Sequence, residues 1–282
     1  MFLVLAKYKE NIEWSNIIKN KIIYSKIKGE PNYVNERYGE NSSYLKYIID
    51  NYDNLQEWTL FAHAHENHWH HSNSLYKSLS IDTNILLQNN IKYLSINHRD
   101  YDLYSQNKLP KNHNYPHPMC WVEYSLENNN LHPQWLDVKI INYTLEKIFN
   151  RKFNITKQKF PQSCQFIVHK NRILNNSLNF YKKCYYWCLY DKIALLTHSN
   201  KNIKDYQSIT GPFIFEYIFH YILGENLYMD VPIINNQHIL FYEQLPFKNY
   251  DFFYVLNNII IKCTIKNTFT KFLYNFFYYK KI

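Results

Sequence analysis

Residues 57–71 read Glu57-Trp58-Thr59-Leu60-Phe61-Ala62-His63-Ala64-His65-Glu66-Asn67-His68-Trp69-His70-His71. Residues 57–62 are an apolar run of strand length, which predicts a buried strand. The five histidines follow at once, so the first of them belong to the strand's carboxyl end. Towards the N-terminus, residues 2–7 (Phe-Leu-Val-Leu-Ala-Lys) predict a first apolar strand and residues 21–25 a second. Between them, Ile12, Trp14, Ile17 and Ile18 stand at helical spacing and predict a helix over 11–19. Residues 40–52 predict another, with Tyr44, Leu45, Ile48 and Ile49 as its apolar stripe. Strand and helix alternate, and this predicts an α/β fold built on a mainly parallel mixed sheet flanked by helices. Sheets of that kind bind ligands outside the carboxyl ends of their strands. The histidines therefore fall where a site belongs.

Towards the C-terminus, residues 100–134 read as a loop, with Pro110, Pro116, Pro118 and Pro133 among asparagines and histidines. A loop of that length suits a lid or binding segment. Helices are predicted over 136–149, 177–190 and 213–223, and a strand over 164–169. Gly211-Pro212 opens the last helix and Gly224 closes it. No glycine- or serine-rich linker divides the chain. We expect one catalytic domain over residues 1–230 and an aromatic-rich C-terminal extension, 231–282, packed against it.

With 282 residues, of which 46 % are hydrophobic, the chain can bury a full core. Its 28 tyrosines against 4 glycines fit A+T-rich coding, so tyrosine and asparagine are background here and not signal. The formal net charge of +9 suits a polyanionic partner such as nucleotide phosphates. The lysines form no basic arm, and a nucleic acid is not expected. Cys120, Cys164, Cys184, Cys188 and Cys263 show no CxxC spacing, which favours a reducing compartment. The start has no basic leader, so the expected location is cytoplasmic. No apolar run approaches the ~20 residues of a membrane span. The tail from Asn257 is punctuated by Lys262, Lys266 and Lys271. It reads as packing on its own domain, with peripheral membrane contact as the alternative.

Three groups of residues could carry chemistry. In an extended strand end His63 and His65 point to the same side, so two imidazoles can converge on one cation; His68 and His71 would add to the rim and Trp69 would wall it. Satisfied structural histidines are the competing account. The exit of the first strand, Lys7, Tyr8, Glu10 and Asn11, runs towards a helix start and suits a nucleotide. The chain lacks GxGxxG, which argues against a dinucleotide. Finally, Glu216 and His220 stand four apart on one helix face, able to act as a base or to complete a metal site. An ordinary surface pair is the alternative.

Taken together, several segments resemble the family known as domain of unknown function 3431. They are Lys7-Tyr8-Lys9-Glu10, Glu40 with Tyr44 to Leu55, Phe61 to His70, Cys164 to Val168 and Thr210 to His220, in order over residues 2–225. The family's Gly-Arg-Glu reads Tyr38-Gly39-Glu40 here, and Arg37 is the nearest arginine. A second resemblance, of element order, is to glycosyltransferases of the A fold. It implies a nucleotide sugar over the first strands, contacted by Lys7, Tyr8, Glu10, Asn11, Arg37 and Glu40. It also implies a divalent ion at His63-Ala64-His65, with His220 in support. Imidazole ligands favour manganese, or zinc, over magnesium. The implied reaction moves the sugar to a hydroxyl acceptor, a glycan for example, with Glu216 as base and His68, Trp69, Cys164 and Gln165 on the acceptor side. A metal-dependent hydrolase and a non-catalytic glycan- or protein-binding relative remain the alternatives.

Overall fold

The computed structural model describes residues 1–34, 39–66, 74–96, 121–125, 138–161, 164–190, 211–227, 229, 233–234 and 237–238. Its centre is a five-stranded sheet. The strands are β1 (Phe2–Lys7), β2 (Lys21–Ser25), β3 (Trp58–His63), β4 (Tyr93–Ser95) and, after two others named below, β7 (Phe166–His169). They lie in the order β2-β1-β3-β7-β4. β1 pairs with β2 and with β3 in parallel, and β7 pairs antiparallel with both β3 and β4. Four strands thus share one direction and β7 opposes them; the sheet is mixed, as expected, but its parallel and antiparallel pairings are equal in number because β7 is inserted between β3 and β4.

Both faces of the sheet are covered, and alternate residues along each strand separate two cores. Val4, Ala6, Phe61, Phe166 and Val168 point to one side. There they meet α1 (Asn41–Asp50), α4 (Val138–Phe149), α6 (Leu178–Tyr190) and α7 (Gly211–Ile222). Leu3, Leu5, Leu60, Ala62 and Ile167 point to the other side, against Trp14 and the short helices α2 (Leu75–Leu79) and α3 (Thr83–Gln88). β1 is buried along both faces, which explains its unbroken apolar sequence.

The segment 11–19 forms a short 3-10 helix, Glu13–Ile17, and not the expected α-helix. Side chains close the turn locally. Asn11 Oδ1 accepts the Glu13 N–H, Ser15 Oγ donates to the Ile12 carbonyl, and Lys21 Nζ donates to the Ser15 and Ile18 carbonyls. Such bonds compete with an α-helical ladder. The loop expected over 100–134 contains a strand, β5 (Trp121–Ser125), paired antiparallel with β6 (Lys157–Pro161). Helices α2, α3 and α5 (Lys170–Leu174) are too short for a periodic signal. Ser74 and Asp82 nevertheless cap the first two by accepting N–H bonds from Lys77 and Asn84.

Helix α7 ends as expected at Gly224, whose φ of +87° is the left-handed C-cap conformation. The C-terminal extension lies outside the described residues, apart from a two-residue pairing of β8 (Ile233–Ile234) with β9 (Gln237–His238). Among the described residues, no helix is long and apolar enough to cross a membrane.

Candidate functional site

The parallel strands end together. Ala6 pairs with His63 and Lys7 with Ser25, so the exits of β1, β2 and β3 form one edge. β7 enters the same edge from the opposite direction. Phe61 pairs with Phe166, so two residues further on His63 comes alongside Cys164. The buried Gln165 fixes this junction, its Oε1 accepting the His63 N–H at 3.2 Å.

Two helices bring carboxylates to that edge. On α1 the Tyr44 ring packs against Phe61 (5.1 Å), Phe166 (6.0 Å) and, across on α7, Phe219 (6.2 Å). Glu40 stands one turn before Tyr44, and Glu216 one turn before Phe219 and His220. Helix packing therefore carries both glutamates to one place, although 176 residues separate them in sequence. Their mutual influence is visible in their acidity. Burial raises the Glu216 pKa well above the carboxylate range, the Glu40 charge raises it further, and Lys26 opposes both. Glu216 as a whole residue is of intermediate exposure. Tyr44 and Cys164 are also driven up, by burial first and then by charges that include Glu40 and Glu216. The fully buried Tyr44 hydroxyl has no hydrogen-bond partner among the described residues.

The histidine pair follows the strand geometry. His65 Nδ1 lies 3.2 Å from His63 Nδ1, the rings 4.8 Å apart between centroids, and the His65 N–H points at His63 Nδ1 from 3.3 Å. Two nitrogens on adjacent corners of a tetrahedral ion, each about 2.0–2.1 Å from it, stand about 3.3 Å apart. The spacing of the two ring nitrogens matches two ligand positions of one cation, for which His63 Nδ1 would have to release the His65 N–H.

The remaining expected residues divide. Lys7 is ion-paired with Glu30 at 2.8 Å, and Glu30 also accepts from Ser25 Oγ at 2.7 Å. The Lys7 bond, followed by the Ser25 bond, holds the Glu30 carboxyl below its usual range. Lys7 thus ties the loop after β2 to the end of β1. Tyr8 is half exposed, and its N–H donates to Glu10 at 2.6 Å. Glu10 and Asn11 line a cavity of ≈470 Å³ with Glu13, Trp14, His65 and Glu66. The indole N–H of Trp14 anchors its wall by donating to the Ala64 carbonyl at 3.0 Å.

His220 departs from the expectation. It is buried further along α7, where burial lowers its pKa to about 3 and the nearby backbone of Leu227 and Asn226 only partly opposes the shift. Among the described residues no group of three or more His, Cys, Asp or Glu could hold an ion, so His220 does not join His63 and His65. It is a neutral core histidine that stabilises the end of the helix. Arg37, His68 and Trp69 lie outside the described residues. Sequence reasoning passed over Lys26, although its place directly after β2 puts it at the carboxyl edge. It also passed over Tyr44 as more than a packing residue, because a single hydroxyl in an apolar stripe gives no signal.

These features define an α/β protein with a titratable, partly buried cluster at the carboxyl edge of a mixed sheet. The chain belongs to the family described as Protein of unknown function (DUF3431), which matches residues 3–233. No curated protein and no solved structure matches the chain.

Proposed function

We propose that this chain is a glycosyltransferase-like enzyme, moving a sugar from a nucleotide-sugar donor to a hydroxyl acceptor at the carboxyl edge of the sheet. The observation that carries this reading is the convergence of Glu40, His63, Cys164–Gln165 and Glu216 from four separate elements on one edge. The element order behind that convergence also agrees with the A-fold resemblance.

In this scheme the acceptor oxygen attacks the anomeric carbon, the bond to the diphosphate oxygen breaks, and Glu216 takes the acceptor proton. A carboxylate with a raised pKa is the stronger base once ionised. Lys26, the smallest of the three influences, works against burial and the Glu40 charge and so favours the ionised form. Tyr44 presents a hydroxyl to the same place. His63 and His65 would hold a divalent ion, manganese or zinc, which neutralises charge on the departing diphosphate. The cavity beside His65 bears three carboxylates, so it suits the hydroxyls of a ribose or sugar better than bare phosphates. A metal-dependent hydrolase needs three or more protein ligands and would have to recruit them from outside the described residues.

Thermal shift against a panel of nucleotide sugars, with and without manganese, tests the reading. One donor should raise the melting temperature in a manganese-dependent manner, and His63→Ala/His65→Ala should remove that dependence. No stabilisation by any nucleotide sugar would sink the proposal.

A further inference from the structure

The charge of this chain is not spread evenly. Residues 138–190 contain ten lysines and arginines and one carboxylate, Glu146, so this segment alone carries a formal charge of +9. That is the net charge of the whole chain, and the rest of the sequence balances to zero. The segment includes α4 and α6, which pack side by side on the outer side of the sheet.

Their shared surface combines cations with aromatic rings. Tyr143 on α4 and Trp187 on α6 meet edge to face at 6.4 Å, with Lys147 over the Tyr143 ring at 5.1 Å. Lys183 reaches from α6 to the Ile148 carbonyl and to Asn150. The surface continues into the loop after α4, where Arg151 lies over the Phe153 ring and donates to the Tyr221 hydroxyl. Here Arg151, Lys152, Phe153, Asn154, Thr156 and Tyr221 line a cavity of ≈440 Å³ without a carboxylate. Glu146, the segment's one acid, accepts the Phe153 N–H at 3.1 Å. Tyr143 and Tyr186 remain 40 % and 61 % exposed, and Lys147, Arg151, Lys152 and Lys182 are exposed.

We infer that the surface of α4, α6 and the 151–156 loop is a docking face for an anionic lipid bilayer, with the Arg151–Lys152 cavity receiving a headgroup phosphate. Tyrosine and tryptophan prefer the headgroup level of a bilayer, where ring and polar tip are both satisfied. Lysine and arginine beside them add attraction to anionic lipids. A single-stranded nucleic acid would ask for rings offered face-on to stacked bases. Here the rings meet one another edge to face, Tyr143 on Trp187 and Phe153 on Tyr221. The face involves neither the histidine pair nor Glu216, so it stands or falls independently of the proposed reaction.

Vesicle cosedimentation tests the inference. The intact protein should bind phosphatidylcholine vesicles that contain phosphatidylserine, leave them in high salt, and ignore phosphatidylcholine alone. Lys147→Glu/Lys152→Glu changes two exposed side chains. It should weaken binding by roughly tenfold or more, since each basic residue near an anionic surface contributes about a fivefold factor. Its melting temperature should match the parent's. Equal binding by this variant and the parent would overturn the inference, as would no binding of the parent to anionic vesicles. Tighter binding to a single-stranded RNA oligonucleotide than to the vesicles would overturn it too.

Discussion

Glu216 and His220 lie one turn apart on α7, yet burial pushes their acidities in opposite directions, and each direction has a consequence for pH. The Glu216 pKa is raised in the fold. Its contribution to stability is complete at acid pH and is lost as pH rises through the raised value. Glu216→Gln keeps the shape and cannot ionise. Its melting temperature should equal the parent's in acid and exceed it increasingly towards alkaline pH, while turnover of a confirmed donor is abolished. A variant that turns over normally would remove Glu216 as the base. His220 behaves in the opposite sense, because its folded pKa falls to about 3 from an ordinary value near 6.5. Stability from the neutral ring is present above about 6.5 and drains away as pH drops towards about 3, because only the unfolded chain binds the proton there. Urea midpoints measured across that window should fall less steeply with pH in His220→Gln than in the parent, whatever the absolute cost of the substitution. Identical slopes would show that the ring does not stay neutral. The sequence placed both residues on one helix face, and that was correct. It could not separate the half-buried Glu216 from the buried His220, because the difference lies in what α1 and residues 226–227 bring against each residue.

At the scale of elements, long periodic stretches were legible and short ones were not. β1, β2, β3, α1, α4, α6 and α7 all follow from apolar patterning within a few residues of their ends. α2, α3 and β4 are three to six residues long; the two helices are held by the sheet face they cover and β4 by its pairing with β7, not by their own pattern. The end of α7 offers a direct test of a punctuation signal that was read correctly. Gly224 has a φ of +87°, and a Cβ there would lie 3.1 Å from Arg172 Nη1, which donates to the Gly224 carbonyl at 2.9 Å while Nη2 of the same guanidinium pairs with Glu225 at 2.7 Å. The arginine can yield by a few tenths of an ångström, whereas the backbone cannot leave the left-handed region without breaking the cap. Gly224→Ala should therefore destabilise by about 1 kcal/mol. A chemical denaturation curve indistinguishable from the parent's would show that the cap contributes nothing.

Across the whole molecule, the sequence revealed the α/β class and the edge on which the candidate site stands. It did not reveal how the site closes. Glu40 and Glu216 meet only because Tyr44 and Phe219 pack over the Phe61–Phe166 contact, a conjunction of four elements that no local pattern encodes. Nor did the average charge show its own concentration in 138–190, since composition is blind to position. The antiparallel strand β7 has a further consequence, for the order in which this chain assembles. β3 is complete at His63, but its neighbour on the side away from β1 begins at Phe166, and among the described residues β4 pairs only with β7. A ribosome adding roughly 5–20 residues per second takes about 5–20 s over those hundred or so residues. Through that interval the growing chain presents the bare edge of an apolar strand, Trp-Thr-Leu-Phe-Ala, the kind of edge that recruits foreign strands. Synthesis of this protein thus includes an interval of several seconds during which one edge of its central strand stays uncovered, and a chaperone that shields residues 58–62 would be of most use then.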